Sequence, residues 1–430
     1  MLYLKRNSFV AFFIYLIILC PAFFGYFTLN KGQMIYLAVI FFCTLIFFLF
    51  DVSNLLRSFS RNHTYFILGF LLLCCEYFAS SVLNIRRNSY SFGDFIEVLR
   101  PVVYLFTYLT SLVIIIPTLR KKGICFVFNI FEKAVFFFSL IEFLKFFKPS
   151  FPFFALYSPF PFGSINFVRM SGTTGFAYSW AWIICVCLFW NIFLNRKITL
   201  KFVYYSFLIL LTGSRTGFLT LLITYFFVFL FFKKTRGILV LALIMLSSLL
   251  VVLYFLEVEV VRTSIDYIIR LIMTVLGKAS DGSFSTRRNQ NQLAMQYFDE
   301  NMFFGIASNK AQNITIENFY FHHLRNWGLL GISIYVITLF GFLIFSRRKY
   351  RKISLVILIS AFVISFSSPV FDQIRNFNIM YLLFAVLLED KTDFFSQTDS
   401  ESPKKKNIIF LQYLFKMKTQ NTEALSCFQS

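Results

Sequence analysis

The chain has 430 residues, of which 58% are hydrophobic and 14% charged, and its mean hydropathy is +0.72. This composition excludes an ordinary soluble multidomain protein, because apolar runs of about 20 residues, each long enough to cross a bilayer, recur along the chain. The net charge of +21 does not indicate nucleic-acid binding, since most Lys and Arg residues lie in short loops between the apolar runs, where they set topology.

The apolar runs predict α-helices, because a bilayer core has no water to satisfy backbone groups and barrel strands would alternate in polarity. The predicted fold is an all-α integral membrane protein, a bundle of about 12 transmembrane helices with a large extracytoplasmic loop that contains interfacial helices. The predicted spans are residues 9–27, 34–50, 65–83, 97–117, 129–147, 176–194, 202–212, 216–232, 238–255, 327–345, 353–368 and 376–388.

The loop charges predict the topology. With the N-terminus in the cytoplasm and alternating spans, the inner loops are basic, as in residues 120–122 and 347–352, and the outer short loops carry fewer cations, with residues 86–87 as the main exception. Both termini are then cytoplasmic. Residues 1–390 form the membrane domain, and residues 391–430 form a basic tail.

Cysteine and acidic patterns predict neither a disulfide scaffold nor a metal site. Seven of the eight cysteines lie in or beside apolar runs, and no polar Cys/His cluster is present. The sequence also lacks an Asp-x-Asp pair, so we predict no cofactor and no required divalent ion. The first run, 9–27, has no small-residue cleavage pattern and is predicted to be a retained span.

One long polar segment, residues 256–324, is predicted to form the large outer loop. Residues 261–276 have apolar positions at spacings of three and four, which predict a helix lying on the bilayer surface. Residues 287–304 predict a second helix whose partly buried side carries four larger residues, Leu293, Met295, Tyr297 and Phe298. We expect two or three such surface helices over a cavity.

Several arginines converge on the predicted outer side. They lie in the loop before span six, at the Gly213-Ser214-Arg215 turn, and in the large loop or just after it: Arg169, Arg215, Arg287, Arg288 and Arg325. The planar guanidinium suits phosphate because it donates two parallel hydrogen bonds. The alternative is that these are ordinary loop charges that reach lipid headgroups. Arg215 is the strongest candidate, because Gly213 and Gly217 on either side allow a close approach of a ligand to the backbone.

Two candidates for a general base precede span ten, Glu317 and His322. The alternatives are a helix-capping carboxylate for Glu317 and an interfacial histidine pair for His322 and His323.

The order of these motifs resembles the O-antigen polymerase and O-antigen ligase family of bacterial envelope proteins. The resemblance rests on Gly213-Ser214-Arg215-Thr216-Gly217 at an outer hairpin, an upstream Arg-x-x-Gly, a Ser-x-Arg, Gly305, and an acidic-Asn pair about ten residues before Gly-Leu-Leu-Gly, over residues 90–345. The Arg-x-x-Gly at 169–172 lacks the Pro-Asn that usually follows it.

The resemblance implies a multi-span glycosyltransferase of the bacterial inner membrane that acts on undecaprenyl-pyrophosphate-linked glycans at the outer face. It implies that Arg169, Arg215 and Arg287 bind pyrophosphate, and Arg288 is a neighbouring candidate. Ligases of the family have a histidine at the base position, where this chain has Glu317, so the resemblance favours a polymerase for O-antigen, capsule or exopolysaccharide. The implied partners are the lipid-linked donor and acceptor, the bilayer, a chain-length regulator and a flippase.

The chemistry agrees with this expectation. No nucleotide sugar is present outside the cytoplasm, so the donor must carry its own leaving group, and arginines would stabilise the departing diphosphate. Direct displacement would invert the anomeric centre. Two alternatives stay open: a ligase that transfers finished glycan to a lipid or protein acceptor, and a flippase or transporter. For the transporter, Glu76 and Glu142 are the notable intramembrane ionisable residues, and no two-fold repeat is present.

Overall fold

The computed structural model is built from helices. It describes residues 8–18, 38–42, 45, 60–85, 99–147, 169–172, 177–195, 199–231, 236–276, 282–306, 316–346, 350–366 and 374–389, and none of these residues lies in a strand. They belong to one unit, residues 1–389, and the tail predicted for 391–430 lies outside the described residues.

The main helices, in chain order, are α1 (Ser8–Ile18), α2 (Arg61–Ile85), α3 (Arg100–Lys122), α4 (Ile124–Phe147), α5 (Ala177–Asn195), α6 (Leu200–Leu211), α7 (Arg215–Phe231), α8 (Arg236–Phe255), α9 (Glu259–Val275), α10 (Gly282–Glu300), α11 (Phe319–Phe345), α12 (Arg351–Ser365) and α13 (Ile374–Leu388). Within the described residues, α2, α3, α4, α8 and α11 are long and apolar enough to cross a membrane, and several shorter helices are also apolar. The prediction of an all-α membrane protein is confirmed. The number of about 12 spans and the large loop stay predictions, because parts of both lie outside the described residues.

One helix runs further than the sequence predicts. We expected the fourth span to end at Pro117, but α3 continues through it to Lys122. Proline interrupts a helix by removing one N–H donor, yet membrane helices tolerate it where neighbouring helices hold the segment. The preceding residues Ile114, Ile115 and Ile116 are fully buried, so packing keeps the helix intact.

Helix α5 lies at the centre of one half of the bundle. It contacts α4, α6, α7 and α12, and its side chains from Trp180 to Trp190 are buried all round. A helix that is apolar on every side belongs in a protein core or in the bilayer, and α5 is covered by its neighbouring helices. By contrast, α8 exposes large apolar side chains such as Leu241 and Met245, as a lipid-facing helix does.

Helices α2 and α11 form the other principal pair and run antiparallel. Near one end, Asn62 Nδ2 donates to the carbonyl oxygen of Phe345 over 3.2 Å. Towards the other end, the ring of Tyr77 stacks on that of Trp327 at 3.6 Å between centroids. These contacts define two ends of the bundle, the Asn62 end and the Trp327 end.

The Asn62 end contains a buried polar network that the sequence did not predict. We expected His63 to lie in a loop, but it lies in the first turn of α2 and is fully buried. Its Nδ1 lies 2.7 Å from Tyr108 Oη, and its Nε2 lies 2.9 Å from Glu389 Oε2. Arg120 pairs with the other oxygen of Glu389. The network joins α2, α3 and the end of α13.

Candidate active site

The Gly213-Ser214-Arg215 turn lies between α6 and α7, at the opposite end of the bundle from the His63 network. Gly213 has a φ of +56°, a conformation that glycine adopts without steric cost. Ser214 then caps α7, because its Oγ accepts a hydrogen bond from the backbone N–H of Gly217 at 3.1 Å. Arg215 is therefore the first residue of α7, and its side chain is half-buried.

Gly213 and Gly217, on either side of Arg215, have different structural roles. We expected both to allow a ligand to approach. At Gly217 the close neighbour is α5 instead, since an added Cβ would lie 2.7 Å from the Cβ of Ala181. Gly217 lets α7 pack against α5, and Gly213 supplies the turn itself.

Arg169 contacts the turn directly. Its Nε donates to the carbonyl oxygen of Thr212 at 3.0 Å, and its Nη2 donates to that of Gly213 at 2.8 Å. These bonds engage two of the five N–H donors of a guanidinium. The structure thus brings Arg169 into contact with the turn that carries Arg215. The sequence predicted both arginines as candidates on the same side of the membrane but did not predict this contact. Gly172 closes the motif with a φ of +53°, and an added Cβ there would lie 2.0 Å from the ring of Trp180.

A buried ion pair on α4 supports the backbone of this segment. Lys145 Nζ lies 2.8 Å from Glu142 Oε2, and both side chains are almost completely buried. Lys145 also donates to the carbonyl oxygen of Arg169 at 3.2 Å, and Glu142 Oε2 accepts from the backbone N–H of Ser171 at 3.1 Å. Sequence reasoning considered Glu142 only for a transporter and missed its partner three residues later, although that spacing favours ion pairs along a helix.

The turn after α10, residues 301–306, is hydrogen-bonded to α11 at a break in α11. We expected span ten to begin at residue 327, but α11 begins at Phe319 and bends at Gly328, where φ is +62° and ψ is −165°. The bend exposes backbone groups of α11 that the turn after α10 satisfies. Leu329 N donates to Met302 O at 2.9 Å, and Arg325 O accepts from Ile306 N, also at 2.9 Å. The outer loop predicted for 256–324 is thus helical again from residue 319.

Helix α10 lies over the start of α11. It ends at Glu300, four residues before the predicted end, and its buried side is narrower than predicted. Phe298 is buried and Leu293 and Tyr297 are partly buried, but Met295 is exposed. The ring of Tyr297 lies 5.1 Å from the guanidinium of the buried Arg325.

This placement brings two predicted site residues together. Arg287 Nε donates to Glu317 Oε2 over 2.8 Å, with both side chains partly exposed. Arg288, the next residue, is exposed. Glu317 does not cap α11. Asn318 does so instead, because its side-chain oxygen accepts from the backbone N–H groups of Tyr320 and Phe321. The capping alternative for Glu317 is therefore wrong.

The two histidines occupy different environments. His322 is half-buried on α11, and its Nε2 lies 3.1 Å from Asn326 Nδ2. His323 is fully buried, with Nδ1 at 2.9 Å from Tyr77 Oη and its ring among Phe319 and Tyr335. Of the two, only His322 is accessible to a substrate.

The candidate site therefore consists of two groups at the Trp327 end of the bundle. One is the turn with Arg169 and Arg215, and the other is the Arg287–Glu317 pair with His322 and Arg288. Together they offer cationic donors that can bind an anion and a carboxyl group that can accept a proton. Within the described ranges, no three His, Cys, Asp or Glu side chains come close enough to hold a metal ion.

Comparison with known families gives a match over part of the chain. Residues 200–336 match the family described as Wzy_C, O-antigen ligase. The matched segment runs from α6 into α11 and includes Arg215, Arg287 and Glu317, whereas Arg169 precedes it. No curated protein gave a significant match to the chain. The predicted resemblance to the O-antigen polymerase and O-antigen ligase family is thus confirmed over residues 200–336.

Proposed function

We propose that this protein is a polysaccharide polymerase that joins undecaprenyl-pyrophosphate-linked oligosaccharide repeat units at the outer face of the bacterial inner membrane. The observation that carries the proposal is the contact between Arg287 and Glu317, which places an anion-binding group and a base 2.8 Å apart. This pair lies within the segment that matches the family. Both groups are partly exposed, so a substrate can reach them.

In the proposed reaction, the arginines hold the diphosphate of the donor. Arg215 acts from the turn, Arg169 acts from the segment that contacts the turn, and Arg287 and Arg288 act from α10. As the bond between the anomeric carbon and the phosphate oxygen breaks, negative charge grows on the diphosphate and the guanidinium groups stabilise it. The diphosphate leaves on its lipid carrier, still bound to these donors.

The carboxylate of Glu317 removes the proton from the acceptor hydroxyl, whose oxygen forms the new bond to the anomeric carbon. Before the donor arrives, Glu317 is paired with Arg287. The diphosphate competes for the guanidinium of Arg287, and its binding turns the carboxylate towards the acceptor. Displacement from the opposite face inverts the anomeric centre. His322, beside Asn326, is the second candidate for this base.

The test is replacement of Arg215 by alanine in a strain that lacks the native copy, with the polysaccharide separated on a gel. We expect the ladder of long chains to disappear while single repeat units persist. Arg215→Lys keeps the charge without the planar fork and should retain part of the polymer. Full-length chains at normal yield from Arg215→Ala, with the variant protein present in the membrane, would contradict the proposal.

A ligase is the second candidate, favoured by the description of the matching family. The two reactions leave different products in a deletion strain. Single repeat units on the final acceptor indicate a polymerase, whereas long chains retained on the carrier lipid indicate a ligase.

A further inference from the structure

The ion pair on α4 is more deeply buried than the candidate site that it adjoins. Glu142 is 0% exposed and Lys145 1% exposed. Moving two charges out of water costs several kcal/mol, and their attraction offsets this cost only when further hydrogen bonds complete the geometry. Lys145 and Glu142 Oε2 make such bonds to the backbone of residues 169–171, whereas Glu142 Oε1 has no hydrogen-bond partner among the residues that the structure describes.

That target is connected to the turn in three ways. Arg169 donates through its guanidinium to Thr212 O and Gly213 O, and Met170 N donates to Leu211 O at 3.4 Å. The segment 169–171, which is bound to α4, therefore restrains the last carbonyl groups of α6 and the turn that follows α6. A continuous series of hydrogen bonds runs from the Lys145 ammonium to the residue that precedes Ser214 and Arg215.

We propose that Glu142 and Lys145 are positioning residues, which act through Arg169 to hold the 212–214 turn in the conformation that presents Arg215 to a diphosphate. The role in diphosphate binding rests on the function proposed above, whereas the restraint on the turn does not. Neither residue touches the substrate. Their effect is to keep the turn ordered before the ligand arrives, which lowers the cost of binding.

The restraint is tested by hydrogen exchange of the turn amides in the full-length protein in nanodiscs. Lys145→Met removes the bond to Arg169 O, and we expect exchange of the peptide that covers 209–217 to become at least about tenfold faster, the effect of losing one charge-assisted hydrogen bond. Lys133→Met is the matched control, since Lys133 lies on the same helix and is exposed. It should leave that exchange unchanged, and Lys145→Arg should restore most of the protection.

A single unpaired charge in the interior can prevent folding, so the double variant Glu142→Gln/Lys145→Met is measured alongside. It leaves no buried charge unpaired and should fold while still lacking the Lys145 bond. Unchanged exchange at 209–217 in this folded double variant would overturn the proposal.

Inorganic pyrophosphate is the probe for the second half of the inference. We expect its dissociation constant to rise about tenfold in the double variant and to stay constant in Lys133→Met, with equal melting temperatures for the latter and the native protein. Faster exchange with unchanged pyrophosphate affinity refutes the positioning role. If the native protein itself does not bind pyrophosphate, the proposed arginine site fails, and the exchange result still decides whether the turn is held by α4.

Discussion

Arg287 on α10 donates a hydrogen bond to Glu317, the residue just before the cap of α11, over 2.8 Å. The contact joins two segments 30 residues apart and exists because the turn after α10 is bound in the break at Gly328. It also links the two chemical roles expected of a transferase site. An arginine that can bind the leaving group restrains the carboxylate that can accept the proton.

The first prediction concerns Glu317. Glu317→Gln keeps the shape of the side chain but cannot accept a proton, so we expect polymer formation in isolated membranes to fall by about 10²–10⁴-fold. The free energy of unfolding should change by at most about 1 kcal/mol, because partly exposed pairs contribute little. Glu317→Asp should retain measurable activity. Normal transfer rates in the glutamine variant would remove Glu317 from the mechanism and leave His322 as the base.

The second prediction separates the two neighbouring histidines. His323→Ala removes a fully buried ring that contacts Tyr77, Phe319 and Tyr335, so we expect it to lower the free energy of unfolding by about 3 kcal/mol or more. His322→Ala removes a half-buried ring and should change stability by less than about 1 kcal/mol. Thermal melting of the purified variants measures both effects. The reverse order of stabilities would contradict the environments found on α11.

The sequence was sufficient to predict an all-α membrane protein and to name candidate residues, because apolar length and loop charge are local properties. It predicted the hairpin turn, the arginines and Glu317. It did not predict which of them meet. The Arg287–Glu317 contact depends on the bend at Gly328, and a single glycine in an apolar run gives no sign of a left-handed backbone.

Buried ion pairs were also missed. Lys145 lies near the end of a predicted span, where a lysine is expected to reach the headgroups. In the structure it turns inward to Glu142 and to the backbone of Arg169. The sequence likewise places His63 in a loop between two predicted spans. Local polarity does not reveal a partner such as Glu389, which lies 326 residues away.

The third prediction concerns the bend in α11. Gly328→Ala places a Cβ at a φ of +62° and 2.3 Å from the carbonyl oxygen of Phe303, so the turn after α10 cannot keep its position. We expect a loss of about 1–3 kcal/mol in stability together with faster hydrogen exchange at 301–306. Gly237→Ala is the control, because an added Cβ there meets nothing within 4 Å. Equal melting temperatures for the two variants would show that the bend does not depend on glycine.

The last prediction concerns Glu76, which faces α11 from α2. The residue is 5% exposed, and neither carboxyl oxygen has a hydrogen-bond partner among the residues that the structure describes. Its Oε2 packs against Gly331, where an added Cβ would lie 2.8 Å away. A buried polar group without a partner costs about 1–3 kcal/mol, so Glu76→Met, which fills the same space with apolar atoms, should raise the melting temperature. Glu76→Gln keeps two polar atoms in that position and should give no comparable gain. If the methionine variant instead melts below the glutamine variant, the carboxyl group stabilises the fold through an interaction of its own, and Glu76 then belongs with the buried polar pairs at His63 and Lys145.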